Sequence, residues 1–390
     1  MKNDIKQKSN RVKTGENRKS IHIFNLINFR KMKRIKIYAI GLAILITSLG
    51  ACNKENLITP ISSSEFQYDV KSAIDYSSIQ VKLKGFNGRS GSSKILVFKD
   101  MDTFLFTLNE LERQAIELDN AFVEHYKDLE EEAINEKEEE IGFNEKLPLY
   151  DFVNKLGFKS LYEKIDIEEE EWLNQEEPDW DNDPDNHFVD IEELRTLLNV
   201  DGEVQIGNVI YKLTESGYFE ILDNSLQSLK LLDVSNLGKN SLPTNTVFVG
   251  DGNSQSKLSS SDCRSWRRKS DKTTAGSKRI KWVVSHWSYP WGTYATAKTK
   301  NYKKKGRRWK KYRTDVLADV YGFVSGVNPT TGDADCSVQS DDINPDGNSK
   351  IKKARSVTFK IRVSTSTKSG WIKGYHYGAE GVIKNSTLTF

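Results

Sequence analysis

The sequence has 390 residues, of which 37% are hydrophobic, and its formal net charge is only +3. Three cysteines without matching histidines are too few for a structural zinc site. The near-neutral total hides an asymmetry, because residues 101–200 carry 31 acidic and 8 basic side chains whereas residues 261–320 carry 4 acidic and 18 basic ones. The length and this division of charge predict two modules.

An export signal is the first recognisable feature of the chain. A basic stretch at residues 32–36 precedes an uncharged apolar run at residues 37–49. This run is shorter than the roughly 20 residues that a membrane-spanning helix needs, so it is typical of a signal sequence. A single transmembrane anchor is the alternative. Because a signal occupies the start of a chain, we take Met32 as the initiator and residues 1–31 as an upstream extension.

The signal ends in the sequence LGAC, which resembles the lipobox of bacterial lipoproteins. The resemblance implies that Cys52 is lipidated, becomes the mature N-terminus and anchors the chain in a membrane. Residues 52–65 are then a short tether. In an oxidising envelope compartment the remaining pair, Cys263 and Cys336, is predicted to form a disulfide, with two free thiols as the alternative.

Residues 66–234 are predicted to form a mixed, acidic module. A buried strand is expected at residues 95–98, followed by a helix that starts near Asp102, whose carboxylate can cap the first turn. The helix has an apolar stripe at alternating three- and four-residue spacing, made of Leu108, Leu111, Ala115, Leu118, Phe122 and Leu129. The acidic run at residues 130–140 is expected to continue this helix on a solvated face. Further helices are predicted at residues 149–156, 161–173 and 191–198, and strands at residues 204–206, 209–211 and 218–221.

Three phrases of this module carry a resemblance to a known group. They are ILVFKD at residues 95–100, LLN at residues 197–199 and DGEVQIGNVIYK at residues 201–212. The chain resembles uncharacterised outer-membrane lipoproteins of Bacteroidota over residues 94–222. The resemblance implies an outer-membrane lipoprotein and supplies no catalytic residue.

A linker is predicted at residues 235–261 and an all-β, basic module at residues 262–390. Its strand candidates are residues 280–289, 294–302, 316–324, 357–363 and 370–377. Strands at this spacing, with Gly, Pro and Asn between them, predict a sandwich or a barrel. The fold class of the whole chain is therefore predicted to be α+β.

Two aspartate clusters have the oxygen-rich pattern of calcium loops. In the first, at residues 181–186, Glu192 stands at the twelfth position; the alternative that we favour is an acidic loop before a helix capped by Asp190. The second is a weaker calcium candidate, formed by Asp342, Asn344 and Asp346. Because Lys353 replaces the glutamate that such a loop requires, we favour a plain turn there. No metal and no cofactor are predicted.

A basic run with interleaved aromatics is the strongest binding signal. Its candidate ligand-binding residues are Lys303, Lys304, Arg307, Arg308, Trp309 and Tyr312. Cations hold phosphate, sulfate or carboxylate groups, and aromatic rings stack on bases or sugars. The alternative is a hairpin that turns at Gly306 and docks on the acidic module. The second module also contains Trp282, Trp287, Trp291, Trp309 and Trp371, and one or two of these could form an exposed glycan platform.

No catalytic motif is present, and the acidic run at residues 168–171 is predicted to be a solvated helix face. The preferred function is therefore a non-enzymatic envelope lipoprotein, on the periplasmic or surface side of the outer membrane, whose second module binds an anionic polysaccharide, another polyanion or a glycan. One alternative is a hydrolase of envelope or host polymers, since active-site residues need not be adjacent in sequence. Another is an assembly subunit with an envelope protein as its partner.

Overall fold

The computed structural model describes residues 66, 68–84, 94–234, 242–250, 266–327, 339–343, 352–363 and 366–389. The chain from Ile61 to Phe390 groups into one compact unit. Cys52, Cys263 and Cys336 lie outside the described residues. The lipidation and the disulfide therefore stay predictions.

The longest helix, α1 (Met101–His125), begins three residues after Phe98, the last residue of a buried strand. Its cap is Asp100 and not Asp102 as predicted, because the carboxylate of Asp100 accepts a hydrogen bond from the amide of Thr103 at 2.8 Å. Asp102 lies in the first turn, where a negative charge is favourable beside the free amides.

Helix α1 ends where the sequence was expected to continue it. The chain turns after His125, and the acidic run forms a separate helix, α2 (Glu131–Ile141). The predicted stripe is buried as far as Phe122, whereas Leu129 lies in the turn and is exposed. The remaining helices are α3 (Leu147–Leu156), α4 (Leu161–Leu173), α5 (Glu192–Leu197) and α6 (Leu226–Val234).

A six-stranded sheet carries these helices, with its strands in sequential order. The strands are β1 (Ile79–Leu83), β2 (Lys94–Phe98), β3 (Glu203–Ile206), β4 (Val209–Thr214), β5 (Gly217–Ile221) and β6 (Thr246–Gly250). Strands β2 and β3 pair in parallel, because helices α1 to α5 provide the long connection that a parallel pair requires. The predicted linker at residues 235–261 thus contains a strand, β6, which pairs with β5.

Two further sheets form a β-sandwich. The first contains β7 (Arg267–Ala275), β8 (Lys278–Tyr289), β9 (Gly292–Lys305), β10 (Arg308–Lys311) and β14 (Ser356–Val363). The second contains β11 (Thr314–Val327), β12 (Gln339–Ile343), β13 (Lys352–Ala354), β15 (Ser366–Gly378) and β16 (Val382–Thr389). Within the described residues neither sheet closes on itself, so the sandwich is confirmed over the barrel, and the fold class is α+β.

The two sheets of the sandwich share one core and leave two outer faces. Alternate residues such as Ala295, Ala297, Val320 and Ile372 point inward and form that core. The opposite face of the first sheet lies against the first module, where the ring centroids of Phe104 and Trp291 are 4.6 Å apart. The outer face of the second sheet leaves Phe323 and Trp371 partly exposed to solvent.

Candidate functional site

The predicted basic run forms the β9–β10 hairpin, which turns at Gly306 with a left-handed φ of 65°. Its cations meet carboxylates of the first module. Lys303 lies 2.6 Å from Glu132, and Lys305 and Lys310 share Glu139 at 3.2 and 3.0 Å. The hairpin therefore docks on the acidic helices, which is the alternative that the charge asymmetry indicated.

The two aromatic residues of the run are buried. Trp309 is only 7% exposed, and the guanidinium of Arg279 covers its ring at 4.2 Å from the centroid. Tyr312 is also buried and donates a hydrogen bond to Glu131 at 2.8 Å. Neither ring therefore offers a face to a ligand. Of the predicted set, only Lys304, Arg307 and Arg308 are exposed.

Four cations and four carboxylates are buried together between the modules, and we call them the buried charge cluster. It consists of Glu169, Asp183, Asp185, Glu192, Arg195, Lys281, Lys298 and Lys300. Lys281 lies 2.6 Å from Asp183, Lys298 lies 2.9 Å from Glu192, and Lys300 lies 3.0 Å from both Glu169 and Asp185.

The first aspartate cluster is an acidic loop before helix α5, as we favoured, but its carboxylates and its predicted capping residue are used differently. The carboxylates that calcium would need already form ion pairs with lysine ammonium groups. No group of three residues that could hold a metal ion occurs in the part of the chain that the structure describes. Asp190 does not cap helix α5, because its carboxylate pairs with Arg268 at 3.0 Å and the cap position belongs to Ile191. The loop is acidic because it faces a basic sheet.

The electrostatics of the cluster follow from a competition between burial and pairing. Burial raises the pKa of Glu169, but Lys300 and Lys311 outweigh it and hold that pKa at about 2. The pKa of Asp185 is likewise held well below its usual range, since Lys298 and Lys300 oppose the effect of burial. For Lys298 the effect of burial is larger than that of its carboxylate partners, so its pKa is lowered.

The second aspartate cluster is only partly described. Asp342 lies in strand β12, where its backbone is the partner of Phe323, and the turn that we favoured after it stays a prediction. Asn344 and Asp346 lie outside the described residues.

The histidines that the structure describes do not converge on a catalytic arrangement. His376 lies inside the sandwich with Thr299 at 2.9 Å, and burial lowers its pKa to about 3. His187 lies beside the first aspartate cluster, where burial also lowers its pKa to about 3. His125 is exposed at the end of helix α1. In the acidic run at residues 168–171, three carboxylates are exposed as predicted, whereas Glu169 is buried against Lys300, so the prediction of a solvated face is wrong for that residue.

The outer face of the second sheet carries a row of aromatic side chains that the sequence analysis did not assemble. We call it the outer aromatic face, and it consists of Tyr321, Phe323, Trp371, Tyr375 and Tyr377. Phe323 is the direct cross-strand partner of Trp371, and the ring centroids of Tyr321 and Trp371 are 6.2 Å apart. Trp371 is 37% exposed, whereas every other tryptophan of the second module is buried.

An alternation in the sequence could have revealed this face. In the stretch WIKGYHYG at residues 371–378, aromatic or basic residues alternate with residues that the structure buries. A strand sends such alternate residues to opposite faces of its sheet. The pairing with β11, which adds Tyr321 and Phe323, follows only from the tertiary structure.

No helix among the described residues combines enough length and apolar character to cross a membrane. No family model matches the sequence, and no curated protein matches it. Among solved structures, the chain is similar to a DUF4848 family protein from Bacteroides thetaiotaomicron, with 13% sequence identity over 76% of this chain and 97% of that chain. The TM-score of this match is 0.17, so the likeness carries no argument about fold or function.

Proposed function

We propose that the protein is a non-enzymatic lipoprotein of the cell envelope that binds a glycan on its outer aromatic face. The observation that carries the proposal is that Phe323 and Trp371 are exposed on one sheet face, beside three partly exposed tyrosines. Large aromatic side chains normally contribute to a core, and a group of them at the surface marks a binding site.

The chemistry of the face suits a sugar. The ring of Trp371 offers an apolar plane, and the ammonium group of Lys373 lies 4.9 Å from its centroid. Within the described residues, the hydroxyl groups of Tyr321, Tyr375 and Tyr377 make no hydrogen bond, so they are free to bind sugar hydroxyls. Lys373 adds a positive charge, which extends the proposal to anionic polysaccharides.

A glycan array with the soluble form that starts at residue 53 tests the proposal. We expect Trp371→Ala and Tyr375→Ala each to weaken binding of the selected glycan by about 1–2 kcal/mol, roughly 5–30-fold. Phe106→Ala is the matched control, because Phe106 is an exposed aromatic residue on helix α1. Unchanged affinity in both face variants would refute glycan binding at this face.

The anchor is tested separately from the ligand. Cys52→Ser should leave the precursor unprocessed and abolish acyl labelling, because the thiol sulfur of Cys52 is the atom that receives the lipid. Labelling with a fatty-acid analogue and fractionation of membranes measure this outcome. Normal labelling of the variant would end the lipoprotein proposal and leave the glycan proposal untouched.

A further inference from the structure

A cleft opens beside Glu145 and Lys146, just before helix α3, and we call it the Lys146 cleft. Three cavities meet there, with volumes of about 450, 270 and 30 Å³, and Glu145 and Lys146 line all three. The largest is bounded by helix α4 and strand β10, and the smallest is an inner chamber that reaches the buried charge cluster. The largest cavity is within the usual size range of small-molecule sites.

The cations on the wall of the largest cavity are already paired. Lys146 lies 2.8 Å from Glu192, Lys310 lies 3.0 Å from Glu139, and Lys311 lies 3.0 Å from Asp166. The fourth cation, Arg355, lies 3.0 Å from Glu138. An anionic ligand would have to displace a carboxylate at each position, so the charges of the wall disfavour anions.

Three groups that can accept a hydrogen bond from a ligand are left over on the same wall. The Oε2 atom of Glu145 is buried and accepts no hydrogen bond; its nearest cation, Arg355, is 3.6 Å away. Glu170 is exposed and forms no ion pair within the described residues. Tyr162 is 6% exposed, lines both the cleft and the chamber, and its hydroxyl makes no hydrogen bond to the described part of the chain.

The surroundings of Tyr162 keep its hydroxyl protonated. Burial raises the pKa of Tyr162, and the carboxylates of Asp166 and Glu192 on the chamber wall raise it further. The phenol therefore stays neutral and can accept a hydrogen bond. The Oε2 atom of Glu145 is a buried polar atom without a hydrogen-bond partner, which is costly, and such an atom is normally satisfied by water or by a ligand.

We propose that the Lys146 cleft binds an organic ammonium ligand, with Glu145, Glu170 and Tyr162 as its acceptors. An ammonium group carries three hydrogen-bond donors and no acceptor. The wall of the cleft offers these three acceptors, and its four cations are already paired. Phe143 also lines the cleft and provides apolar contact for the body of such a ligand. This site is independent of the outer aromatic face.

Calorimetry on the full mature chain in detergent, with glucosamine and N-acetylglucosamine as probes, tests the site. The two sugars differ in that the ammonium group of the first is an uncharged amide in the second. We expect glucosamine to bind at least about tenfold more tightly. Glu170→Gln and Tyr162→Phe should each weaken glucosamine binding by about tenfold, since the first removes the negative charge that faces the ammonium group and the second removes a hydroxyl acceptor.

Glu171→Gln is the matched control, because Glu171 is exposed on the same helix and does not line the cleft. Equal affinity for the two sugars, or unchanged affinity in both Glu170→Gln and Tyr162→Phe, would overturn the proposal. Trp371→Ala separates the two sites: it should leave glucosamine binding intact even where it abolishes binding of the polymeric glycan. Loss of glucosamine binding in Trp371→Ala would contradict a site in the cleft.

Discussion

The two outer faces of the sandwich depart from the usual rule that charged side chains are exposed and aromatic side chains are buried. The face that lies against the helices buries Lys281, Lys298 and Lys300, whereas the opposite face leaves Phe323 and Trp371 partly in solvent. Lysine is almost never fully buried unless it is paired, and large aromatic residues are normally covered. Burial on the first face follows charge complementarity between the modules, and the aromatic residues on the second face have no such partner.

The comparison suggests that the two faces have different tasks. A buried ion pair gains little net stability, because desolvation offsets most of the attraction, but removing one partner leaves an uncompensated charge. The charged face therefore fixes how the two modules meet. The aromatic face contributes little to that arrangement, which leaves it available for a ligand.

The largest expected effect is on the charged face. Asp185→Asn should lower the free energy of unfolding by about 3–5 kcal/mol, because Lys298, Lys300 and Arg195 would lose a shared counter-charge. Urea denaturation measures the change. Asp181→Asn is the matched control from the same loop, since its carboxylate is 91% exposed, and it should change stability by less than about 0.5 kcal/mol. Equal effects of the two substitutions would contradict the structural role of the cluster.

The second expected effect is a loss of stability in acid. The pKa of Glu169 is about 2 in the folded chain against an ordinary value of 4.5, so its contribution is complete above about pH 5 and disappears as the pH falls toward 2. Melting temperatures measured in steps from pH 6 to pH 2 follow this loss. Glu169→Gln should melt lower at pH 6 and show a shallower decline, because the group that titrates is gone. A decline as steep as that of the unaltered chain would count against the assignment.

The aromatic face should respond in the opposite way. Trp371→Ala is expected to change the free energy of unfolding by no more than about 1 kcal/mol, because the side chain is already partly in solvent. The buried Trp282→Ala provides the contrast and should cost about 3–5 kcal/mol. Denaturation of both variants in parallel measures the difference. A large loss in Trp371→Ala would show that the face is part of the core.

The smallest effect on stability is expected at the tip of the β9–β10 hairpin. Replacing Lys304, Arg307 and Arg308 together by Gln should change the free energy of unfolding by less than about 1 kcal/mol, because exposed charges contribute little. If the tip binds a polyanion, the same variant should elute from heparin at lower salt and with a flatter salt dependence. Identical elution of the variant and the unaltered chain would exclude the tip as the binding surface.

Local patterns predicted the elements of the fold well. The strand at residues 357–363 and the turn at Gly306 follow from alternation and from a residue suited to a left-handed conformation, and both are present. The cap of helix α1 was placed two residues too late, because Asp100 and Asp102 are equally suitable by type and only backbone geometry distinguishes them. The break after His125 was missed because the acidic residues that follow have good helix propensity.

The sequence by itself determined the α+β class, the succession of a helix-rich and a strand-rich region, and the charge asymmetry, because these depend on composition and on the spacing of neighbouring residues. It could not determine which carboxylate meets which cation, since Asp185 and Lys298 are 113 residues apart along the chain. Nor could it determine that Trp309 is covered and Trp371 is exposed. These outcomes were decided by the tertiary structure, because burial depends on what packs against a strand face and the two faces of an isolated strand are equivalent until a partner arrives.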